Sequence, residues 1–247
     1  MSKIKFSHLS IAMFAVLGIS ACGGGNNNPA PTPNLPTACN STVLAFNTTN
    51  FNFYTTDSNM LIPSNTSEQQ LIPDNLLSAG AAVLLKQPMT PPYSIQFDYA
   101  IFDDDGQANQ SFSNNSADGI VVMLAKDDVP YLSTLPPFGE ARGFLPGDGY
   151  GVHFSIYQNR EMKLIDPAGA TLTSDSSNSA TIYTHGEWRT VKITVRSDSI
   201  AVDYEGMTDV LKYDGAITQS YDHIGFGAGT GGADGEHKIR NVIVCSL

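Results

Sequence analysis

Basic residues are scarce in this chain: 13 lysines and arginines stand against 24 aspartates and glutamates in 247 residues, a formal net charge of −11. Such a surface repels nucleic-acid phosphates and anionic lipid headgroups, so no nucleic-acid partner is expected. Beyond the N-terminus, no segment is long and apolar enough to cross a membrane. Nor does any stretch carry a long helical stripe or an exact repeat. A Gly-x-Ser-x-Gly elbow is missing, as is a zinc-type histidine cluster, which argues against serine-hydrolase and zinc-hydrolase chemistry. Tryptophan occurs once and cysteine three times.

What is present begins with "LGISACGGGNNNPAPTPNLP" (Leu17–Pro36). Lys3 and Lys5 form a basic start, Leu9 to Ala21 is mostly apolar, and small residues precede Cys22. This is the layout of a secretory signal, residues 1–21. Ile19-Ser20-Ala21-Cys22 resembles a bacterial lipobox, which implies that Cys22 is acylated and becomes the mature N-terminus. The alternative is an ordinary signal peptide with an incidental cysteine. Residues 22–38 then read as the lipidated cysteine and a tether. Glycines and asparagines make it flexible, and Pro29, Pro31, Pro33 and Pro36 stiffen it toward extended geometry. Gly23 to Ala38 reaches at most roughly 50 Å. Gly23 stands where an aspartate would hold an enteric lipoprotein at the inner membrane, so the resemblance implies a lipid anchor in the bacterial outer membrane, facing periplasm or cell surface. Without residues 1–21 the chain has 11 basic and 24 acidic residues, a formal net of −13.

The remainder, 39–247, suffices for one core and reads as one domain. Cys39 and Cys245 lie at its two ends, an even pair in an exported, oxidising compartment, and we read them as a disulfide; two buried thiols are the alternative. Short alternating runs dominate. "YSIQFDYAIF" (Tyr93–Phe102) places Ile95, Phe97, Tyr99 and Ile101 on one face. "YGVHFSIY" (Tyr150–Tyr157), "WRTVKITV" (Trp188–Val195) and "SIAVDYEG" (Ser199–Gly206) alternate likewise. Separated by Gly, Asn, Asp and Pro clusters, they predict an all-β, antiparallel β-sandwich or barrel. "SDSSNSA" (Ser174–Ala180) reads as a loop tip.

Four stretches, in the right order, carry a resemblance. "SADGIVVMLA" (Ser116–Ala125) is similar to the Ala-Asp-Gly turn and strand of legume lectins. "GVHFSIYQN" (Gly151–Asn159) matches their Val-Glu-Phe-Asp-Thr-Tyr-x-Asn pattern at Val152, Phe154, Tyr157 and Asn159. "GEWRTVKITVRSDSIAVDYEG" (Gly186–Gly206) resembles the tryptophan strand and hairpin that follow. "HIGFGAGTGGADGEHKIRNVIV" (His223–Val244) looks like the late Gly-Phe strand, Thr-Gly loop and returning strand. The resemblance implies a concanavalin-A-like, L-type lectin domain: a jelly-roll β-sandwich that holds sugar in loops at one edge. Residue by residue, it implies carbohydrate contacts from Asp118, Gly139 in "FGEARG", Asn159, Gly232, Ala233 and Asp234. A carboxylate accepts from two adjacent hydroxyls, an amide donates and accepts, and glycine lets backbone N–H groups approach. Phe138 or Tyr157 would stack on a pyranose.

Plainer readings stand beside these. Asp118 in "NSADG" makes an Asx turn, and Gly231, Gly232 and Gly235 supply positive φ. His237 hydrogen-bonds in or under that loop, and Trp188 packs in the core or along its strand. Where legume lectins place a metal-binding glutamate and aspartate, this chain has His153 and Ser155, and Glu140 replaces a second glycine. The two-metal site is therefore incomplete. A single Ca²⁺ is a candidate cofactor, with Asn159 and Asp166 as oxygen donors and further oxygens in "FDDDGQANQ" (Phe102–Gln110). A glycoside hydrolase of the same sandwich is the rival class, but its paired-glutamate strand is not found. A structural or adhesive module without a sugar site is the third. The expectation is a membrane-anchored surface lipoprotein with a non-catalytic, carbohydrate-binding domain that touches the membrane only through its lipid.

Overall fold

The structure is a computed structural model and describes residues 42–56, 62–102, 118–126, 149–157, 160–184, 186–231 and 234–247. The chain divides into two units, Met1–Pro31 and Thr32–Leu247. The first lies outside the described residues, as do Cys22 and Cys39.

Thirteen strands make up the described domain. They are β1 (Phe51–Thr55), β2 (Glu68–Ile72), β3 (Gly80–Leu85), β4 (Tyr93–Phe102), β5 (Gly119–Ala125), β6 (Gly149–Ser155) and β7 (Glu161–Ile165). β8 (Thr171–Asp175), a single helical turn α1 (Ser179–Ile182), β9 (Arg189–Val195), β10 (Ser199–Tyr204), β11 (Met207–Asp214), β12 (His223–Gly229) and β13 (Glu236–Ser246) follow. One sheet has seven strands in the order β1-β3-β12-β5-β6-β7-β8, the other six in the order β11-β10-β9-β4-β13-β2. Every pairing within them is antiparallel. The chain is an antiparallel β-sandwich of the expected class.

Alternation explains why these segments are strands. In β4, Ile95, Phe97, Tyr99 and Ile101 are fully buried on one face, while Gln96 and Asp98 point away. Phe97 reaches the facing sheet, with ring centroids 5.1 Å from Phe226 of β12 and 6.4 Å from Phe154 of β6. Tyr99 stands 5.1 Å from Phe154 and donates its hydroxyl to Ile182 O at 2.8 Å. Burial pushes its hydroxyl well above the usual phenol range, with the neighbouring Tyr204 adding to the effect.

The central strands of the seven-stranded sheet depart from simple alternation, for β3, β5, β6 and β12 are buried throughout. A second apolar cluster, Ala82, Leu84, Val121, Met123 and Ala125 with Tyr54 against it, lies on the face turned away from the main core. β12 fits between its neighbours there because Gly225 has no side chain: a Cβ would sit 2.6 Å from Met123 Cγ.

Two local expectations gain detail. Trp188 is half-buried just ahead of β9, so of the two expected placements it takes the packing one, and the Arg240 guanidinium lies 3.9 Å from its ring centroid. Arg240 is fixed in turn by Asp98, whose Oδ2 accepts from its Nε at 3.2 Å. The stretch Ser174–Ala180 holds the end of β8 and the start of α1 as well as a turn. Asp175 organises that turn, accepting from Ser177 N at 3.0 Å and from Asn178 Nδ2 at 2.9 Å, and these bonds hold its carboxyl below the usual range despite desolvation.

The domain's first described residues meet its last strand, since Leu44 N–H donates to Val242 O at 2.8 Å. Cys245 is 7 % exposed and sits opposite Ser94 of β4. Replacing Phe97 tests the inter-sheet core. Phe97→Ala should cost about 3–5 kcal/mol in urea denaturation, because it leaves a cavity against both Phe154 and Phe226.

Candidate functional site

Asp118 marks one end of the seven-stranded sheet. Its N–H donates to Gly229 O at 2.7 Å, and its own carbonyl accepts from Ile156 N at 3.1 Å. The residue therefore ties the end of β12 to the end of β6, and it is only 3 % exposed. Gly119 follows with φ +127°, a conformation L side chains rarely adopt, which is why an Asp-Gly pair enters the strand here.

The registers place other expected residues beside it. Gly229 lies opposite both Gly80 of β3 and Gly119 of β5, and Gly119 lies opposite Ser155 of β6. Three strands thus present a row of backbone without side chains next to Asp118. Two residues past Gly229 comes Gly231, which leads toward Gly232 and Ala233. Asp234, half-buried, precedes β13. Beneath this loop, fully buried His237 donates Nδ1–H to Gly235 O at 2.7 Å, the structural role expected of it. On the other side, Tyr157 follows Ile156 and is 38 % exposed. Gly139, Asn159, Gly232 and Ala233 lie outside the described residues, as do Asp103–Asp105, Phe138 and Glu140. The described flanks of the Asn159 and Gly232 loops, Tyr157 and Gly231, both adjoin the Asp118 end.

A further segment arrives at this end without having been expected. The β2–β3 connection is bound to the end of β12 through Thr230, which is fully buried. Thr230 Oγ1 donates to Leu76 O at 2.7 Å and accepts from Ala79 N at 3.0 Å. Ser78 N–H donates to Gly231 O at 2.9 Å. The turn-forming Pro73-Asp74-Asn75 run was the available signal, and Asn75 adopts φ +62°.

Asp166 does not belong here. It follows β7 at the end remote from Arg160, beyond four strand steps of about 13 Å. Its Oδ1 accepts from Ala168 N at 2.9 Å and Ala170 N at 2.8 Å, so it forms the β7–β8 turn. Asp166 is withdrawn as a calcium donor for the Asp118 end.

Val152 and Phe154 enter the main core, so His153 and Ser155 face away from it, as do Glu161 and Lys163 of β7. Calcium needs several hard oxygens, mostly carboxylate. Glu161 is the carboxylate in this group, and its Oε1 lies 2.7 Å from Lys163 Nζ. Among the described residues no three His, Cys, Asp or Glu side chains group as a metal site. The described residues do not fit a calcium site.

Two facing antiparallel sheets of this order, with loops gathered at the end of β5, β6 and β12, define the L-type, legume-lectin-like fold, and this chain has it. Among solved structures it is similar to the VIP36 exoplasmic/lumenal domain in a Ca²⁺/Man3GlcNAc-bound form, with a TM-score of 0.61 and 14 % identity over 80 % of this chain and 85 % of that one. It is similar to the lectin from Bauhinia forficata in complex with GalNAc, with a TM-score of 0.60 and 14 % identity over 81 % and 93 % of the two chains. For the legume lectin-like domain from Entamoeba histolytica the TM-score is 0.53, at 11 % identity over 83 % and 98 %. No family model and no curated protein sequence matches this chain. At these identities the likeness establishes the fold.

Thr230→Val keeps the side chain's size and removes its buried hydroxyl. It should lower stability by about 1–3 kcal/mol in denaturant titrations, because Ala79 N–H and Leu76 O lose their partner.

Proposed function

We propose that this chain is a lipid-anchored surface protein whose sandwich domain binds carbohydrate without acting on it. One observation carries the reading: Asp118, a nearly buried carboxylate, is locked by its backbone between the ends of β6 and β12, beside the row Gly80, Gly229 and Gly119. A charged acceptor there pairs with two adjacent sugar hydroxyls, while bare backbone admits the ring closely. In this reading Asn159, Gly139, Gly232, Ala233 and Asp234 supply the remaining sugar contacts. Tyr157 is exposed enough to stack on a pyranose face. Support also comes from similar structures that hold Man3GlcNAc and GalNAc. A sandwich hydrolase would need two carboxylates facing one another across a bound glycosidic link. Asp118 stands at the end of β5 with neutral Gly229 and Ser155 across from Gly119, which favours binding over hydrolysis.

A glycan panel probed with the mature protein tests the domain. Binding is expected with no release of reducing sugar. Asp118→Asn retains the turn and removes the charge, so affinity should fall about tenfold or more while the melting temperature holds. Intact binding with a lowered melting temperature would reverse the assignment and make Asp118 a turn former.

The anchor is part of the same proposal. Cys22 carries lipid, residues 23–38 give the domain its reach, and the outer membrane is the location. Cys22→Ala should leave the protein unprocessed or soluble in the periplasm, as cell fractionation and the mass of the N-terminal peptide would show. Cys39 and Cys245 are proposed to be bridged. Alkylation of the native exported protein should modify neither cysteine until a reductant is added.

A further inference from the structure

We propose that the Asp118 end of the sheet is held in place by the protein's own charged side chains instead of a divalent cation, so that ligand binding there requires neither calcium nor manganese. The second half of this statement rests on the carbohydrate-binding reading above; the first does not.

The short connection from β6 to β7 is held at its entry and at its exit. Its entry is fixed where Ile156 N–H meets Asp118 O at 3.1 Å. Its exit is fixed at Arg160, and the charge that follows is paired within β7. The Arg160 guanidinium stands 5.5 Å from the centroid of the Tyr183 ring. The next residue, Glu161, forms the 2.7 Å ion pair with Lys163, their side chains 19 % and 23 % exposed. An ion pair with that little exposure is screened far less by salt than a surface pair. Both ends of the connection are thus tied by groups belonging to this chain.

The placement of the pair gives it meaning. Ser155 lies directly opposite Glu161 across the ladder, and His153 directly opposite Lys163. Paired side chains on one face have Cβ atoms about 4.5–5.5 Å apart. Among the described residues, a divalent cation seated over β6 would meet His153 and Ser155, neither of them a carboxylate. It would also meet an ammonium one strand away, and a carboxylate already neutralised by that ammonium. To gain Glu161 as a ligand it would have to displace Lys163. Lys163 therefore supplies the positive charge that orders this edge, and Arg160 and Lys163 act as positioning residues.

The test uses the mature protein. Melting temperature is measured by calorimetry in millimolar CaCl₂ with MnCl₂, and again in EDTA. Glycan binding is measured in the same two buffers. Both quantities should be the same in each. Lys163→Met keeps the aliphatic stem and removes the charge. It should lower the melting temperature and weaken glycan binding about tenfold, with no recovery on adding calcium. Lys163→Arg should restore both, because it returns a cation to Glu161. Should Lys163→Met fail to fold, Arg160→Met reads the same edge through its Tyr183 contact. A melting temperature raised by calcium, heat of calcium binding in titration calorimetry, or glycan binding lost in EDTA and regained with calcium would each overturn the proposal. So would a Lys163→Met protein with unchanged melting temperature and affinity. If no glycan binds in either buffer, the carbohydrate reading fails, and the melting temperatures, which need no ligand, still decide whether the edge is cation-independent.

Discussion

The structure depends on one meeting of rings. Phe97, in the middle of β4, stands against Phe226 and Phe154 of the opposite sheet. Those two belong to β12 and β6, which flank β5 on either side. Setting Phe97 between them fixes where β12 and β6 lie against the second sheet. The ladder through β5 then fixes where all three strands end. Asp118 occupies that end, and its two backbone bonds close the gap between neighbours whose positions the core has already set. The site is a consequence of packing some distance away, which is how a loop-built site gains precision.

Much of the sandwich was legible in the sequence. Tyr93–Phe102 reads as a strand from alternation alone, and it is one with those bounds. Runs ending near 156 and 206 overshoot for identifiable reasons. After Ser155 the pairing with β7 ends at Glu161, and only the bond from Ile156 N–H to Asp118 O carries the β5 side of the ladder one step further. After Tyr204 the pair Glu205-Gly206 adopts positive φ and makes the hairpin to β11. Trp188 was harder to place. Alternation admits core or strand packing for it, its parity puts it with Thr190 and Lys192 on the outward face, and its partner Arg240 is 52 residues away in sequence. Contacts between distant residues leave no trace in local periodicity.

The site was legible in part. Asp118 announced itself through its Asp-Gly pair. Asp166 misled, since an Asp-Pro pair suits both a calcium loop and a tight turn, and only the direction of β7 separates them. The β2–β3 connection escaped notice because its role comes from Thr230, whose hydroxyl joins residues about 150 positions apart in sequence. The Glu161–Lys163 pair escaped for a different reason. An alternating Glu-x-Lys on a strand looks like ordinary solvated charge, and only the burial around it reveals an internal fastening.

The glycine row beside Asp118 has a bearing on how such proteins diverge. Gly80, Gly229 and Gly119 are buried, and they contribute peptide groups and no side chains beside Asp118. An L side chain at any of the three would alter the floor of this end before it altered the rim. The connections after β2, β6 and β12 can lengthen, shorten or change sequence without disturbing the ladder below. Variation at this end is therefore cheapest in its loops.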